Sequence, residues 1–366
     1  IPADPIIPLD AYTFAEPQMV LTHTSPIGIQ QWLPDSETLL VTRFVDEGSI
    51  LDLVNTRTQE ITTLLGPNPS IIAPKWLDEE QTVVWLELDS HTKVTQPGHW
   101  IQSYDPPASR RLSNNGMTGW SVTHDVSPDG TEVVFLALPG GTQPLIWNQE
   151  SKTLRGLPLD LAGWRYGGPI FYRLEPFNVQ WHPGGEKLLF WDGAWVFLYD
   201  LTTSSGCEID VRSFDRANRY VFTARWSPNG RYLLFKNTGT PPFQNTHGPY
   251  DRVLVLDTYT GEAVQYALGH PVASFTWAPD SQTVAMRGGA ELEIGGFSAN
   301  GFYLLNVRSG DHQRILPALE TLSGMGNMLV WSPDGNTLAI QCMDSPRDES
   351  GGVFDRICIS QVAMNR

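Results

Sequence analysis

At 366 residues the chain is long enough for two average domains, yet all-β folds of this size often form one unit, so length leaves the domain count open. A hydrophobic content of 41%, with 33 Gly, 28 Pro and 13 Trp, excludes a disordered chain and suits a turn-rich, aromatic-rich one. The formal charge of -16 argues against nucleic acid and anionic lipid as partners, since both would be repelled. No apolar run approaches the roughly 18 residues of a membrane span.

The chain opens on the Pro-rich stretch Ile1-Pro2-Ala3-Asp4-Pro5-Ile6-Ile7-Pro8 and not on a methionine. Residues 1–16 read as an N-terminal arm or the remnant of a linker, with removal of a signal, a lipoprotein tether or simple trimming all open. An apolar run, Gln18-Met19-Val20-Leu21-Thr22-His23, follows.

From residue 31 onward one pattern recurs seven times. It is Gln31-Trp32-Leu33-Pro34-Asp35-Ser36, then Lys75-Trp76-Leu77-Asp78-Glu79-Glu80, Asp125-Val126-Ser127-Pro128-Asp129-Gly130 and Gln180-Trp181-His182-Pro183-Gly184-Gly185. Arg225-Trp226-Ser227-Pro228-Asn229-Gly230, Thr276-Trp277-Ala278-Pro279-Asp280-Ser281 and Val330-Trp331-Ser332-Pro333-Asp334-Gly335 complete the series. Anchor positions 32, 76, 126, 181, 226, 277 and 331 are spaced by 44, 50, 55, 45, 51 and 54 residues. That period suits one four-stranded sheet per repeat.

Ser-Pro-Asp-Gly spells a type I turn: Pro fixes φ at the second corner and Gly closes the fourth. Continuous apolar runs follow the turns, such as Thr38-Leu39-Leu40-Val41 and Tyr232-Leu233-Leu234-Phe235, as expected of strands covered on both faces. A second hairpin with a polar turn comes next, as in Val253-Leu254-Val255-Leu256-Asp257-Thr258-Tyr259-Thr260-Gly261-Glu262. The expected fold is all-β: a seven-bladed β-propeller with four antiparallel strands per blade, occupying residues 17–366. The seventh repeat ends after its third strand, so Gln18–His23 is expected to supply the fourth.

The Trp-x-Pro-Asp-Gly turn, apolar strand and Asp-x-x-Thr-Gly-Glu hairpin together resemble the TolB-like, WD40-like propeller repeat, over essentially the whole chain. Blade two departs from it, lacking Pro and Gly in Leu77-Asp78-Glu79-Glu80, and blade three lacks the Trp. The resemblance implies a fold and is nearly silent on function, since such propellers serve as scaffolds, peptidase gates, lyases and adhesins.

Cys342 ends the second strand of blade seven and Cys358 opens the third, so antiparallel pairing brings them within reach of a disulfide; two buried thiols are the alternative. A bridge implies an oxidising location: periplasm, cell surface or exterior. Cys207 has no evident partner.

No phosphate loop or zinc helix is present, and Gly296-Phe297-Ser298-Ala299-Asn300-Gly301 lacks the second Gly of a nucleophile elbow. No catalytic or metal residue is assigned. His182 replaces Ser in a repeat turn and reads as structural. Asp344-Ser345-Pro346-Arg347-Asp348-Glu349 has the oxygen ligands calcium prefers, though the composition suits a solvated loop better.

Long connections are expected from Asn237 to Asp251, Arg287 to Gly301 and Met343 to Asp355 within blades, and from Leu159 to Asn178 and Asp210 to Val221 between them. Several carry the aromatic and arginine side chains that anchor binding hot spots: Trp164, Arg165, Tyr166, Tyr172, Arg173, Phe214, Arg216, Arg219, Tyr220, His247 and Tyr250. Local packing over the blades is the competing reading. The expected function is a non-catalytic binding or scaffold propeller of the bacterial envelope or exterior, meeting a protein or glycan. A propeller enzyme with a funnel site and a self-assembling surface protein are the alternatives.

Overall fold

The computed structural model describes residues 5–68, 71–77, 81–87, 98–104, 107–112, 124–136, 143–159, 178–192, 195–211, 221–237, 252–268, 272–291, 297–316, 329–342 and 355–365. Their strands form seven antiparallel sheets, six of four strands and one of five, and the fold is a seven-bladed β-propeller. The first strands of the blades are Ile27–Trp32, Ile71–Leu77, His124–Val126, Asn178–Trp181, Val221–Trp226, Val272–Trp277 and Leu329–Trp331. Each pairs with the apolar run that the sequence placed after the turn.

The repeated turns have the predicted geometry. The Gly130 amide donates to the Ser127 carbonyl at 2.9 Å, Gly230 to Ser227 at 2.8 Å and Gly335 to Ser332 at 3.0 Å. All three glycines have φ between 71° and 78°, the left-handed region that a Cβ disfavours. Blades one and six place Ser36 and Ser281 there instead, at φ 56° and 61°. Each serine links two turns: Ser281 Oγ accepts from the Asn229 amide at 3.0 Å, and Ser36 Oγ from the Asp334 amide at 3.2 Å.

In blades one and four the Trp of the repeat is a seam residue, while the Trp331 indole donates to the Gly335 carbonyl of its own turn. The Trp32 indole donates to the Val330 carbonyl at 2.9 Å, and the Trp181 indole to the Asp125 carbonyl at 3.3 Å. In both cases the acceptor lies one residue before the anchor of the preceding blade. The buried ring covers apolar surface while its single donor is satisfied across the seam.

The chain forms two compact units, Ile1–Pro67 with Trp226–Lys236 and Pro249–Arg366, and Asn68–Arg225 with Asn237–Gly248. In the first unit, the expected closure is present. Gln18–His23 pairs antiparallel with the C-terminal strand Asp355–Met364, Gln18 opposite Ile359 and His23 opposite Asp355. The same long strand takes a second partner: Tyr12–Phe14 pairs with its far end, Tyr12 opposite Met364. Residues 5–12 continue over blade six. Asn306 Nδ2 donates to the Ile7 carbonyl at 2.7 Å, Gln313 Nε2 to Leu9 at 3.1 Å and Gln282 Nε2 to Pro5 at 3.1 Å. Leu9 and Tyr12 are buried beside Trp331 and Phe302, and the Tyr12 hydroxyl donates to Asp280.

Cys342 and Cys358 are disulfide-bonded, with their Cα atoms 5.8 Å apart. They are not directly opposed: Cys342 faces Arg356 and Cys358 faces Ile340, so the bridge runs diagonally between strands on one face of the sheet. Two residues at this offset share a face because side chains alternate with period two. The expected loop from Arg287 to Gly301 is corrected: Thr283–Glu291 and Phe297–Asn306 pair through most of it, past a register shift at Gly288/Gly289. Ser298 accordingly lies in a strand opposite Ala290, without the strand–turn–helix setting of a nucleophile elbow.

Closing a loop with a sequence separation of 16 removes unfolded-state entropy. Cys342→Ser, or reduction of the native chain, is predicted to lower unfolding free energy by about 3 kcal/mol in denaturant titrations. An unchanged midpoint after complete reduction would show that the bridge contributes nothing.

Candidate functional site

Strand order sets the two ends of every blade apart. With antiparallel strands, the connections from first to second and from third to fourth strands share one end; those from second to third and from one blade to the next share the other. At the first end the connections are tight. Residues 33–37, 127–131, 182–186, 227–231 and 332–336 join first to second strands, and 149–152, 201–204, 258–262 and 307–311 join third to fourth. At the second end they are uneven: 24–26, 46–47, 69–70, 193–194 and 268–271 are short, whereas 88–97, 157–177, 210–220, 238–251, 316–328 and 343–354 are long. Trp164, Arg165, Tyr166, Tyr172, Arg173, Phe214, Arg216, Arg219, Tyr220, His247 and Tyr250 all belong to these long connections and lie outside the described residues. So does the acidic run 344–349.

The tight end consumes its polar groups locally. Ser127 Oγ donates to Asp129 at 2.5 Å and accepts the Glu132 amide at 2.8 Å, and the Ser127 hydroxyl holds the Asp129 carboxyl below the usual carboxylate range. His182 stands in for Ser: its Nδ1 accepts from the Gly184 amide at 3.0 Å, in keeping with a structural role.

Three polar clusters form elsewhere. In the first unit the fully buried Asp52 carboxylate accepts from the Arg43 guanidinium and, at 2.7 Å, from Thr63 Oγ1. His23 Nε2 lies 3.2 Å from Arg43 Nη1, which ties the end of the closing strand to blade one. In the second unit, His99 and His124 are brought together by the pairing of blades two and three, their rings edge to face at 5.5 Å. His99 also tilts against Phe135, with ring centroids 4.9 Å apart. Burial pushes His99 well below the ordinary imidazole value; burial, then the charge of Lys75, brings His124 down to about 3.

The third cluster, also in the second unit, is built on Asp125. Its Oδ2 accepts from the Trp181 amide at 2.8 Å, and its Oδ1 lies 3.7 Å from Lys75 Nζ. Arg225 interacts with it electrostatically. Sequence reading missed both second-unit clusters. Lys75, Asp125 and Arg225 each stand one residue before a repeat anchor, so stacking the seven repeats would have revealed the charges; nothing in the spacing of His99 and His124 announces their pairing. Among the described residues no group of three or more His, Cys, Asp or Glu is arranged to hold a metal. Cys207 is an exposed free thiol on the outer strand Ser205–Ile209.

No protein-family model matches the sequence, and no curated protein matches it. Solved structures do. The chain is similar to the Cps50 (Swd1) β-propeller domain of Myceliophteria thermophila, at 12% identity and a TM-score of 0.59, over 95% of this chain and 99% of that one. It is similar to an oligogalacturonate lyase in complex with manganese, at 10% identity and a TM-score of 0.61, over 96% of both chains. TolB from Acinetobacter baumannii matches at 14% identity and a TM-score of 0.48, over 82% of this chain and 64% of its own. At these identities the first two likenesses establish the propeller fold, as the repeat implied, and nothing finer.

The buried imidazoles make stability depend on pH. An unfolded histidine takes up a proton below its ordinary value of 6.5, whereas folded His124 does so only near 3, so acid favours the unfolded chain. Unfolding free energy is predicted to be flat above about pH 6.5 and to fall below it by up to about 1.4 kcal/mol per pH unit for each buried imidazole. Denaturant titrations between about pH 7.5 and 5 should show that slope, reduced in His124→Gln. A slope identical in the variant would remove His124 from the account.

Proposed function

We propose that this chain is a non-catalytic binding or scaffold propeller of the bacterial cell envelope or exterior, meeting a protein or glycan partner through the long-connection end of its blades. The observation that carries this reading is the asymmetry of the two ends. The tight turns spend their hydroxyl and carboxylate groups on one another and on their own backbone amides, while every aromatic and arginine candidate belongs to a long connection. Loops on a rigid scaffold carry recognition more often than its strands, and Trp, Tyr and Arg are its usual anchors. The Cys342–Cys358 bridge supports an oxidising location. The reading of residues 1–16 as an N-terminal arm is supported by Pro5, Ile7 and Leu9, whose carbonyls accept from side chains of blade six, while Tyr12–Phe14 joins the edge of the blade-seven sheet.

Four fourth strands favour self-assembly as the second reading: Met19, Ile61, Leu154 and Val264 are 46–50% exposed on them. An outer strand has an open hydrogen-bonding edge, and apolar groups there invite pairing with another copy.

Capture of partners from a native extract separates these readings. Paired changes Trp164→Ala with Arg165→Ala, or Arg219→Ala with Tyr220→Ala, are predicted to weaken capture tenfold or more, each hot-spot side chain being worth about 1–2 kcal/mol. Lys152→Gln, in a tight turn, should leave capture intact. Equal capture by all variants sinks the rim assignment. Particle size rising with concentration favours self-assembly, and turnover of a captured glycan would overturn the non-catalytic reading.

A further inference from the structure

In the first unit the N-terminal arm is held as a peptide ligand is held. Blade six reads its backbone through side-chain amides. Gln282 Oε1 accepts the Ile7 amide at 3.4 Å while its Nε2 donates to the Pro5 carbonyl at 3.1 Å; Asn306 donates to Ile7 and Gln313 to Leu9. A carboxamide that takes one backbone N–H and gives to a nearby carbonyl substitutes for a peptide unit of a neighbouring strand. Leu9 and Tyr12 are buried beside Ile315, Leu316 and Trp331. Tyr12–Phe14 then extends the sheet at the edge of Asp355–Met364. Main-chain bonds joined to pockets for spaced apolar side chains are the mode by which sheet edges bind extended peptides.

The groove residues named here lie between 280 and 365, so the groove is complete without blade one, which follows the arm along the chain. The junction between arm and closing strand is the loosest part of the path. Phe14 lies opposite Val362 and Gln18 opposite Ile359, so four steps along the arm face three along its partner and one residue is left over. Pro17 stands in that gap with no amide to offer the ladder.

We infer that this groove across blades six and seven is an interface for a second copy of the chain: residues 5–14 of each copy occupy the groove of the other, while Gln18–His23 stays in its own blade seven. Exchange of an identical element keeps the contacts that the groove already makes, and reciprocal exchange closes as a two-fold dimer. A second copy is the fitting occupant because it carries Ile7, Leu9 and Tyr12 at the spacing the groove holds. The Pro17 junction is the hinge. The inference gives the self-assembly reading an interface of its own, distinct from the exposed outer strands.

The test uses full chains carrying Cys207→Ser. Thr13 and Ala363 are exposed and directly opposed, and opposed Cα atoms of an antiparallel ladder are about 5 Å apart, within reach of a disulfide. Thr13→Cys and Ala363→Cys are placed in separate, differently tagged chains, which are incubated together and then oxidised. Exchange holds the two thiols at an effective concentration of about 1 mM, so cross-chain bridging should exceed that of Thr13→Cys with Thr153→Cys by about tenfold or more. Both changes in one chain check the arm's path. Bridging within that chain but no cross-chain bridging above the Thr153→Cys level overturns the inference, and so does failure to bridge in either arrangement. The internally bridged monomer should no longer grow in particle size with concentration; growth that persists assigns assembly to the outer strands and overturns arm exchange. Rim capture is a separate measurement, and its loss or retention leaves these outcomes unchanged.

Discussion

The sheet of blade seven is made from both ends of the chain, and the first unit depends on that pairing. Bringing residues near 18 to residues near 359 closes a loop of most of the chain, at an entropic cost of about 5 kcal/mol plus a constant. The contacts gathered there answer that cost. Gln18–His23 and Tyr12–Phe14 run end to end along the same ten-residue strand. Trp331 receives Tyr12 and Phe14 edge-on, at 5.8 and 6.2 Å between centroids. The disulfide ties the same C-terminal strand to its other neighbour. A pairing of three to six residues is marginal alone; backed by a covalent link on one side and an aromatic cluster at its end, it becomes a closed edge.

The seams within each unit follow a second rule, in which a side chain from one blade satisfies the backbone of the blade before it. In blades one and four the indole does this, as Trp32 and Trp181 show, whereas the Trp331 indole donates to the Gly335 carbonyl of its own turn. Blade three has Val126 at the anchor and no indole to donate. The seam between blades two and three is held differently, by the Lys75–Asp125 pair, by the Arg110 guanidinium 4.1 Å above the Trp147 ring, and by the two packed imidazoles. A polar seam costs desolvation that an apolar one avoids, which is why both histidines are held neutral.

Much of this architecture was legible because a repeat writes the same physics several times. Turn chemistry, the apolar run after it and the Asx-stabilised second hairpin are local, and local rules survive translation into structure. Gln18–His23 was legible as a closing strand because it occupies the place before Trp32 that a fourth strand occupies before Trp277. The second pairing of Tyr12–Phe14 was not, since three residues carry no periodicity. The diagonal disulfide was half legible: spacing brought the cysteines together, but only register distinguishes a direct from an offset pair. The hairpin at 283–306 was hidden by its glycines, which read as a loop while serving a register shift.

Charge was the least legible property of all. Summed along the chain it gives a strongly acidic protein, which argues against anionic partners as a class. Folded, the acidic groups are distributed: some are spent in tight turns, one is buried under Arg43, and many face solvent. Lys75 and Asp125, 3.7 Å apart between Nζ and Oδ1, come from residues 50 apart in sequence. A net charge governs long-range encounter and is screened beyond roughly 10 Å at ordinary ionic strength, whereas recognition is decided within a few ångströms. Composition therefore bounds long-range encounter, and the charges that the fold places side by side decide each contact.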